Sequence, residues 1–509
     1  MLTAPSPPSA VRDLTRQFGD RCSMHGVGRA LSPNTRIGER LFWSLLVLAM
    51  SIWALHSVLS SIRLYYEYPV STVITQDFSP PLRFPGVTFC NMNRMRKSKM
   101  SNKTYDIINQ ALGWSTSDTR VELTRQIKGL LDSLPSHRAI AAGHSLTDTL
   151  VSCVFDSRIC GPANFTAFFN PVYGNCFVFG SNLLSVSNPG KLSGLTLDLN
   201  AEVEEYTPLA SSLGIKVLLH DPRTMPFPQD AGFTATTGQV TSIGFTEKRV
   251  EMLSEPYSDC LTEGYHPRLN IFSQSGYLYN RESCMRSNFQ KQLMKVCGCC
   301  SKWYPCDRKL LRELSSKKIS GQTWNESTMY CVVPSLAKDV TYRSSQACYL
   351  TQLQQIGQID LMSGCPQPCS NVLYQTTVSA SHLPIRDLLF FERQFHPNLA
   401  TLERLQRQPS IVRVEVYFKD MLTERMVAVP VLDGNKLLGN IGGQLGLLLG
   451  FSLVTAVEIL ELLINLATAA VLKLRVAQLS TVKVGRDNQD SKEGGNADNE
   501  KERGVDADM

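Results

Sequence analysis

The sequence has no strong excess of one charge. Its 51 Lys and Arg stand against 45 Asp and Glu, for a formal net charge of +6. That is too mild to argue for a nucleic-acid partner, and no long basic stretch rises out of the chain. There is no Gly-x-Ser-x-Gly, no His-Glu-x-x-His and no phosphate-binding loop, so neither an enzyme nor a cofactor is indicated. No internal repeat recurs, and no secretory signal opens the chain, where residues 1–40 are polar. Cysteine is almost absent outside one segment: of 15, only Cys22 lies outside residues 90–369. Hydrophobic content is 43% and charged content 19%, ordinary for a globular protein, and 509 residues suffice for a sizeable core and more than one lobe.

Against this background stand two apolar runs. Residues 41–62, rich in Leu, Trp and Ile, have the length of a membrane-spanning helix. The second, residues 437–466 within a span placed at 436–470, is less uniform. It carries Gly439, Gly442, Gly443, Gly446, Gly450, Ser452, Glu458 and Glu461. A helix that only anchored a domain needs none of these. Glycines permit close helix contact or local unwinding. Acids in a membrane segment face a partner or a water path, and two acids three residues apart lie on nearly one face. Helices lining a polar conduit fit this pattern; so does a dimerisation helix whose acids sit at the cytoplasmic edge.

Residues 63–435 between the runs hold 14 cysteines, an even number, which points to an oxidising compartment and up to seven disulfides. The run Cys297-Gly-Cys299-Cys300 with Cys306 therefore reads as disulfide-forming and not as a zinc site. Three glycosylation sequons, at Asn102, Asn164 and Asn325, fall in the same region. Strands are expected at 214–219 and 411–418, helices at 103–132 and 383–408. Arg12, Arg16, Arg21, Arg29, Arg36 and Arg40 favour the cytoplasm for residues 1–40; Lys473 and Arg475 do the same for 471–509, whose last residues, 485–509, are expected to be a disordered tail.

Four motifs, in order over residues 24 to about 466, resemble the degenerin/epithelial sodium channel superfamily, which includes acid-sensing and FMRFamide-gated channels. His25-Gly26 resembles its cytoplasmic gating motif. Phe84-Pro85-Gly86-Val87-Thr88-Phe89-Cys90-Asn91 resembles its signature after the first helix, with Gly86 in place of Ala. The ten cysteines from Cys260 to Cys369 resemble its disulfide ladder. Leu437 to Gly446, followed by Gly450-Phe451-Ser452, resembles its pore segment.

The resemblance implies an α+β membrane protein with two transmembrane helices per chain flanking a large disulfide-rich extracellular domain, assembled as a trimer in the plasma membrane and preferring sodium. It implies a selectivity filter at Gly450-Phe451-Ser452, with Phe451 pointing away from the lumen and backbone carbonyls facing ions. It places a gate at Gly439, an amiloride-related position at Gly443, Asn440 where acid-sensing members have Asp, and cation-concentrating acids at Glu458 and Glu461. The disulfides it implies are Cys90–Cys176, Cys153–Cys160, Cys297–Cys331, Cys299–Cys306, Cys260–Cys369, Cys284–Cys365 and Cys300–Cys348.

Proton gating needs His or close carboxylate pairs. Where acid-sensing relatives carry histidines after the first helix, this chain reads Tyr65-Tyr66-Glu67-Tyr68-Pro69-Val70. Where they have adjacent acids, it reads His220-Asp221-Pro222-Arg223, and the matching thumb stretch at 315–321 is basic. Residues 66–72 look closer to peptide-gated and bile-acid-sensitive members. An amidated, FMRFamide-type neuropeptide is therefore the expected agonist, with its binding residues unassigned. A proton-, bile-acid-, constitutively or mechanically gated sodium channel, or a non-conducting two-pass receptor, are the alternatives.

Overall fold

The computed structural model describes residues 14, 17–19, 21–32, 35–78, 80–100, 136–180, 184–262, 264–307, 347–353, 360–384 and 409–471, with scattered residues between them. Asn325, the stretch 315–321, residues 472–509 and almost all of the expected helices at 103–132 and 383–408 lie outside that set. Five helices carry the argument: α1 (Val27–Leu31), α2 (Ile37–Tyr66), α3 (Arg281–Cys297), α4 (Gly434–Leu449) and α5 (Leu453–Val471). The chain divides into two units. One joins Met1–Val70 with Pro430–Met509; the other is Ser71–Val429.

In the first unit, α2 and α5 are the two membrane-spanning helices, with mean hydropathies of 1.9 and 1.8. The apolar side chains of α2 point outward on several sides, with Leu41, Leu45, Leu48, Ile52, Leu55 and Leu59 all exposed. A helix apolar on every side suits lipid. The second apolar run is not a single helix: α4 ends at Leu449, and Gly450-Phe451-Ser452 separates it from α5. Its sequence explains the stop. Gly450 has φ +65°, the left-handed conformation that ends helices and that glycine adopts without strain. Ser452 starts the next helix as its N-cap: Thr455 N–H donates to Ser452 Oγ at 3.3 Å, and Ser452 N–H donates back to Thr455 Oγ1 at 3.1 Å.

The second unit is built on two sheets. Its strands are β1 (Val70–Phe78), β2 (Gly86–Asn91), β3 (Leu150–Phe155), β4 (Arg158–Ile159), β5 (Phe165–Asn170), β6 (Gly174–Phe179), β7 (Leu195–Asn200), β8 (Ile215–His220), β9 (Phe233–Ala235), β10 (Gln239–Glu251), β11 (Ser370–His382) and β12 (Ile411–Pro430). The larger sheet runs β11-β10-β12-β7-β3-β4, with β1 also on β12; the smaller runs β9-β8-β2-β6-β5. Both expected strands are present, as β8 and β12. β12 extends well past its predicted end, and its buried and half-buried residues alternate from Val412 to Phe418. Phe84 of the Phe-Pro-Gly signature is fully buried and meets Phe155, Phe245 and Phe418 edge-on at 5.0, 5.7 and 6.2 Å, so the motif is a core node.

The departure from Ala at Gly86 has a local cause. A Cβ there would lie 2.9 Å from His220 Cε1, which faces Gly86 across the β2–β8 pair. The His220 ring is held at both nitrogens, by the Asp221 carbonyl and the Thr88 hydroxyl, each at 2.9 Å. Burial pushes its pKa down to about 4, against the opposing pull of the Asp221 carbonyl and carboxylate. His220 is therefore neutral throughout the physiological range and is no acid sensor. The unfolded chain takes up a proton near pH 6.5, while the folded one resists until about 4. The stability this group contributes is present above pH 6.5 and is lost as pH falls toward 4. Thermal unfolding of the detergent-solubilised protein should show Tm falling across that window, and His220→Asn should shrink the fall. An equal fall in the variant would assign it to other groups.

Seven disulfides close the second unit. Cys90–Cys176, Cys153–Cys160, Cys260–Cys369 and Cys284–Cys365 join the residues that the resemblance implies. The other three differ. Cys297 bonds Cys348 and not Cys331, Cys299 bonds Cys331 and not Cys306, and Cys300 bonds Cys306 and not Cys348. The end of α3 explains the exchange. Gly298 at φ +67° terminates the helix, and the next two cysteines enter different clusters. Cys297 and Cys299 pack with Cys331, Tyr349 and Leu361, where the helical stretch 347–353 brings Cys348. Cys300 turns instead to Met294 and Cys306. The pairing that the resemblance implies for the Cys297-Gly-Cys299-Cys300 run misses this because Cys299 and Cys300 enter different clusters.

Candidate functional site

The break at Gly450-Phe451-Ser452 interrupts a membrane span, so its freed backbone groups need partners. Gly450 N–H donates to Gly446 O at 2.9 Å, and Phe451 N–H to Leu445 O at 3.2 Å. The Leu449 carbonyl is met from far away in sequence: His25 N–H donates to it at 3.0 Å. The His-Gly segment thus lies against the break. A Cβ at residue 450 would collide with His25 Nδ1. Gly26, at φ +84°, is equally confined, since a Cβ there would come within 3.0 Å of Val47 and 3.2 Å of Trp43 on α2. Arg29 sits 4.8 Å over the Trp43 ring and fastens α1 to the same helix. Two sequence motifs separated by more than 400 residues are one structural element here.

Above the break, α4 is tied to α2 by Gln444 Nε2, which donates to Ser61 Oγ at 3.2 Å. At about 100° per residue, Gly439, Gly443 and Gly446 fall in a stripe about 60° wide, with Gln444 well round the other side. No atom lies within 4 Å of a Cβ built at Gly439, Gly442 or Gly443. The stripe is therefore bare at Gly439 and Gly443 and lies on the side of α4 away from Gln444, while a Cβ at Gly446 would meet the Phe451 carbonyl at 3.8 Å; Asn440 is exposed beside it. Phe451 is half-buried, and its carbonyl faces back toward Gly446.

Below the break, Glu458 and Glu461 line one cavity of about 110 Å³, so they share a face as their spacing requires. Glu461 is exposed. Glu458 is engaged by Ser23, whose N–H donates to Oε2 at 2.9 Å and whose hydroxyl lies 3.1 Å from the same oxygen. Ser23 Oγ also lies 2.6 Å from Thr455 Oγ1, a fully buried hydroxyl. Sequence reasoning missed Ser23 and Thr455. The Ser-x-x-Thr spacing at 452–455 is a readable capping signal, whereas nothing local marks Ser23.

Two carboxyls of the second unit titrate away from the range a proton sensor needs. Burial pushes Asp221 up, but the hydrogen bonds and charge of Arg223, with Arg83 beyond, outweigh it and hold the group below its usual range. Glu415 is pushed up by burial too, and is brought below its ordinary value by Lys191, Ser242 and Arg413. Of the sequons, Asn102 and Asn164 are both exposed.

The family described as amiloride-sensitive sodium channel matches residues 18–462. Similar proteins include the epithelial sodium channel subunit beta of Neoceratodus forsteri, 30% identical over 367 residues, and that of Homo sapiens, 27% identical over 359 residues. Each alignment covers 69% of this chain and 52% of the relative, so the chain spans about half the length of the curated relatives it matches. From His25-Gly26 through the disulfide ladder to the broken second span, the match runs over every motif described above, and the chain belongs to the amiloride-sensitive sodium channel family.

Proposed function

We propose that this chain is a pore-forming subunit of a trimeric, sodium-selective, amiloride-blocked cation channel of the plasma membrane, with both termini cytoplasmic and the disulfide-rich domain outside. One observation carries the reading. The second span is broken at Gly450-Phe451-Ser452, with the His25 segment meeting the orphaned Leu449 carbonyl and a bare glycine stripe on the side of α4 away from Gln444. Irregular backbone at membrane depth is tolerated where it is buried in protein or lines a water-filled path. Three such stripes around an axis bring Gly439 and Gly443 to the lumen, with Asn440 at its edge beside Gly443. The carbonyls and hydroxyl of residues 450–452 then replace part of a cation's hydration, and Glu458 and Glu461 concentrate cations below them.

For the stimulus, we retain an extracellular FMRFamide-type peptide. His220 stays neutral, and Asp221 and Glu415 stay ionised, so these three groups give protons no handle near neutral pH. A second reading concerns assembly. The relatives are named as subunits, which favours a heteromer over a homotrimer. Two-electrode recording from cells expressing the full chain, alone and with a family partner, tests both. Amidated peptide should evoke an amiloride-blocked sodium current, and acid and bile acid should not. Silence of both combinations under every stimulus would leave the non-conducting receptor. Current only with the partner would decide for the heteromer.

A further inference from the structure

The contacts below the break form a continuous chain. Ser452 N–H can only donate, and it donates to Thr455 Oγ1 at 3.1 Å. The Glu458 carboxylate, when ionised, can only accept. Between these fixed ends lie two hydroxyls, Thr455 Oγ1 and Ser23 Oγ, 2.6 Å apart, with Ser23 Oγ 3.1 Å from Glu458 Oε2. Ser23 Oγ thus bridges Thr455 and Glu458, and Thr455 Oγ1 also lies 3.2 Å from Ser452 Oγ. Thr455 is fully buried, so loss of its shortest partner leaves a buried hydroxyl less well satisfied.

We infer that Ser23 is a positioning residue for ion permeation: it joins the N-terminal segment to the second span, fixes the Glu458 carboxylate beneath the break, and links that carboxylate to Ser452 through Thr455. The inference rests on the channel reading above. It assigns Ser23 a role separate from that of the His25 backbone. His25 meets the carbonyl on the upper side of the break, whereas Ser23 acts on the charge below it. Removing the Ser23 hydroxyl leaves Glu458 held by the Ser23 N–H alone and takes from Thr455 its partner at 2.6 Å, which uncouples the carboxylate from Ser452.

The test is single-channel recording from the full chain bearing Ser23→Ala, Ser23→Thr, Glu458→Gln, or Ser23→Ala with Glu458→Gln, with surface protein measured by biotinylation. Ser23→Ala should lose unitary sodium conductance and shift the sodium-to-potassium permeability ratio toward unity, and Ser23→Thr should restore both. With Glu458 already neutralised, Ser23→Ala should cause little further loss. If Ser23→Ala fails to reach the surface, Thr455→Val breaks the same chain at its buried centre and should give the same permeation change. Wild-type conductance and permeability in Ser23→Ala or Thr455→Val, alongside an altered Glu458→Gln, would overturn the role of Ser23 and leave the channel reading intact. Unaltered permeation in Glu458→Gln would instead remove Glu458 from the ion path, and the inference with it.

Discussion

Gly450→Ala should abolish most of the sodium current while surface expression stays near normal. Two separate penalties fall on one methyl group. An L-residue in the left-handed conformation of Gly450 is strained by about 1–2 kcal/mol. The new Cβ would also collide with His25 Nδ1, and overpacking of that kind costs about 1–3 kcal/mol. The chain has two ways to relieve the clash, and both disturb the break. Moving the His25 segment away sacrifices the bond from its N–H to Leu449 O, and rotating residue 450 re-aims the carbonyls on either side of it. The double variant Gly450→Ala with His25→Ala separates the two penalties. It removes the ring but keeps the backbone N–H, so only the conformational strain remains and part of the current should return. If the double variant is as silent as Gly450→Ala while His25→Ala alone conducts, backbone strain alone accounts for the loss and relief of the His25 contact contributes nothing.

How far this site could be read in advance depends on the range of the interactions that make it. The break itself is local. A glycine able to end a helix, followed two residues later by a serine able to start another, stands at 450–452; the resemblance marked these residues as a filter, while the span was expected to run unbroken over 436–470. The alternation that marks β12 is equally local, and so is the apolar length of the first span. What the sequence could not reveal is the meeting of residues 23–26 with 449–458, because no periodicity or propensity links segments more than 400 residues apart. His25-Gly26, read alone, is only a turn. Its meaning comes from the Leu449 carbonyl that it satisfies.

The disulfide ladder shows the same limit at shorter range. Its outer rungs, Cys260–Cys369 and Cys284–Cys365, are those that the resemblance implies. Its inner rungs depend on where α3 ends. One residue in the left-handed conformation, Gly298, sends Cys299 and Cys300 into separate clusters, and every pairing in the Cys297-Gly-Cys299-Cys300 run changes with it. His220 is a comparable case. Its place beside Asp221 in sequence leaves titration open, and only the close packing against Gly86 and burial on both sides make it a neutral structural group.

Gly439→Cys, treated with a bulky thiol reagent, should hold the channel open, with current rising severalfold and no longer falling when the agonist is withdrawn. The fold permits this test to be clean. A Cβ at residue 439 meets no atom within 4 Å, and Gly439 is exposed in the interior of α4, so the substitution neither clashes nor removes a capping glycine. Replacing glycine inside a helix even favours the helical state, by up to about 1 kcal/mol for alanine. Any effect of the adduct must therefore come from what lies opposite the bare stripe. If that is an axis where three copies of α4 approach, a bulky group on each copy cannot fit the closed arrangement and keeps the helices apart. If the stripe faces lipid, the adduct finds room among acyl chains and the current does not change. Leu438 supplies the control, because it is strongly exposed and lies about 100° round α4 from Gly439, off the glycine stripe. Leu438→Cys under the same reagent should leave gating as it was. Equal responses at 438 and 439 would show that the reagent acts on the helix in general, and no response at 439 would move the gate elsewhere.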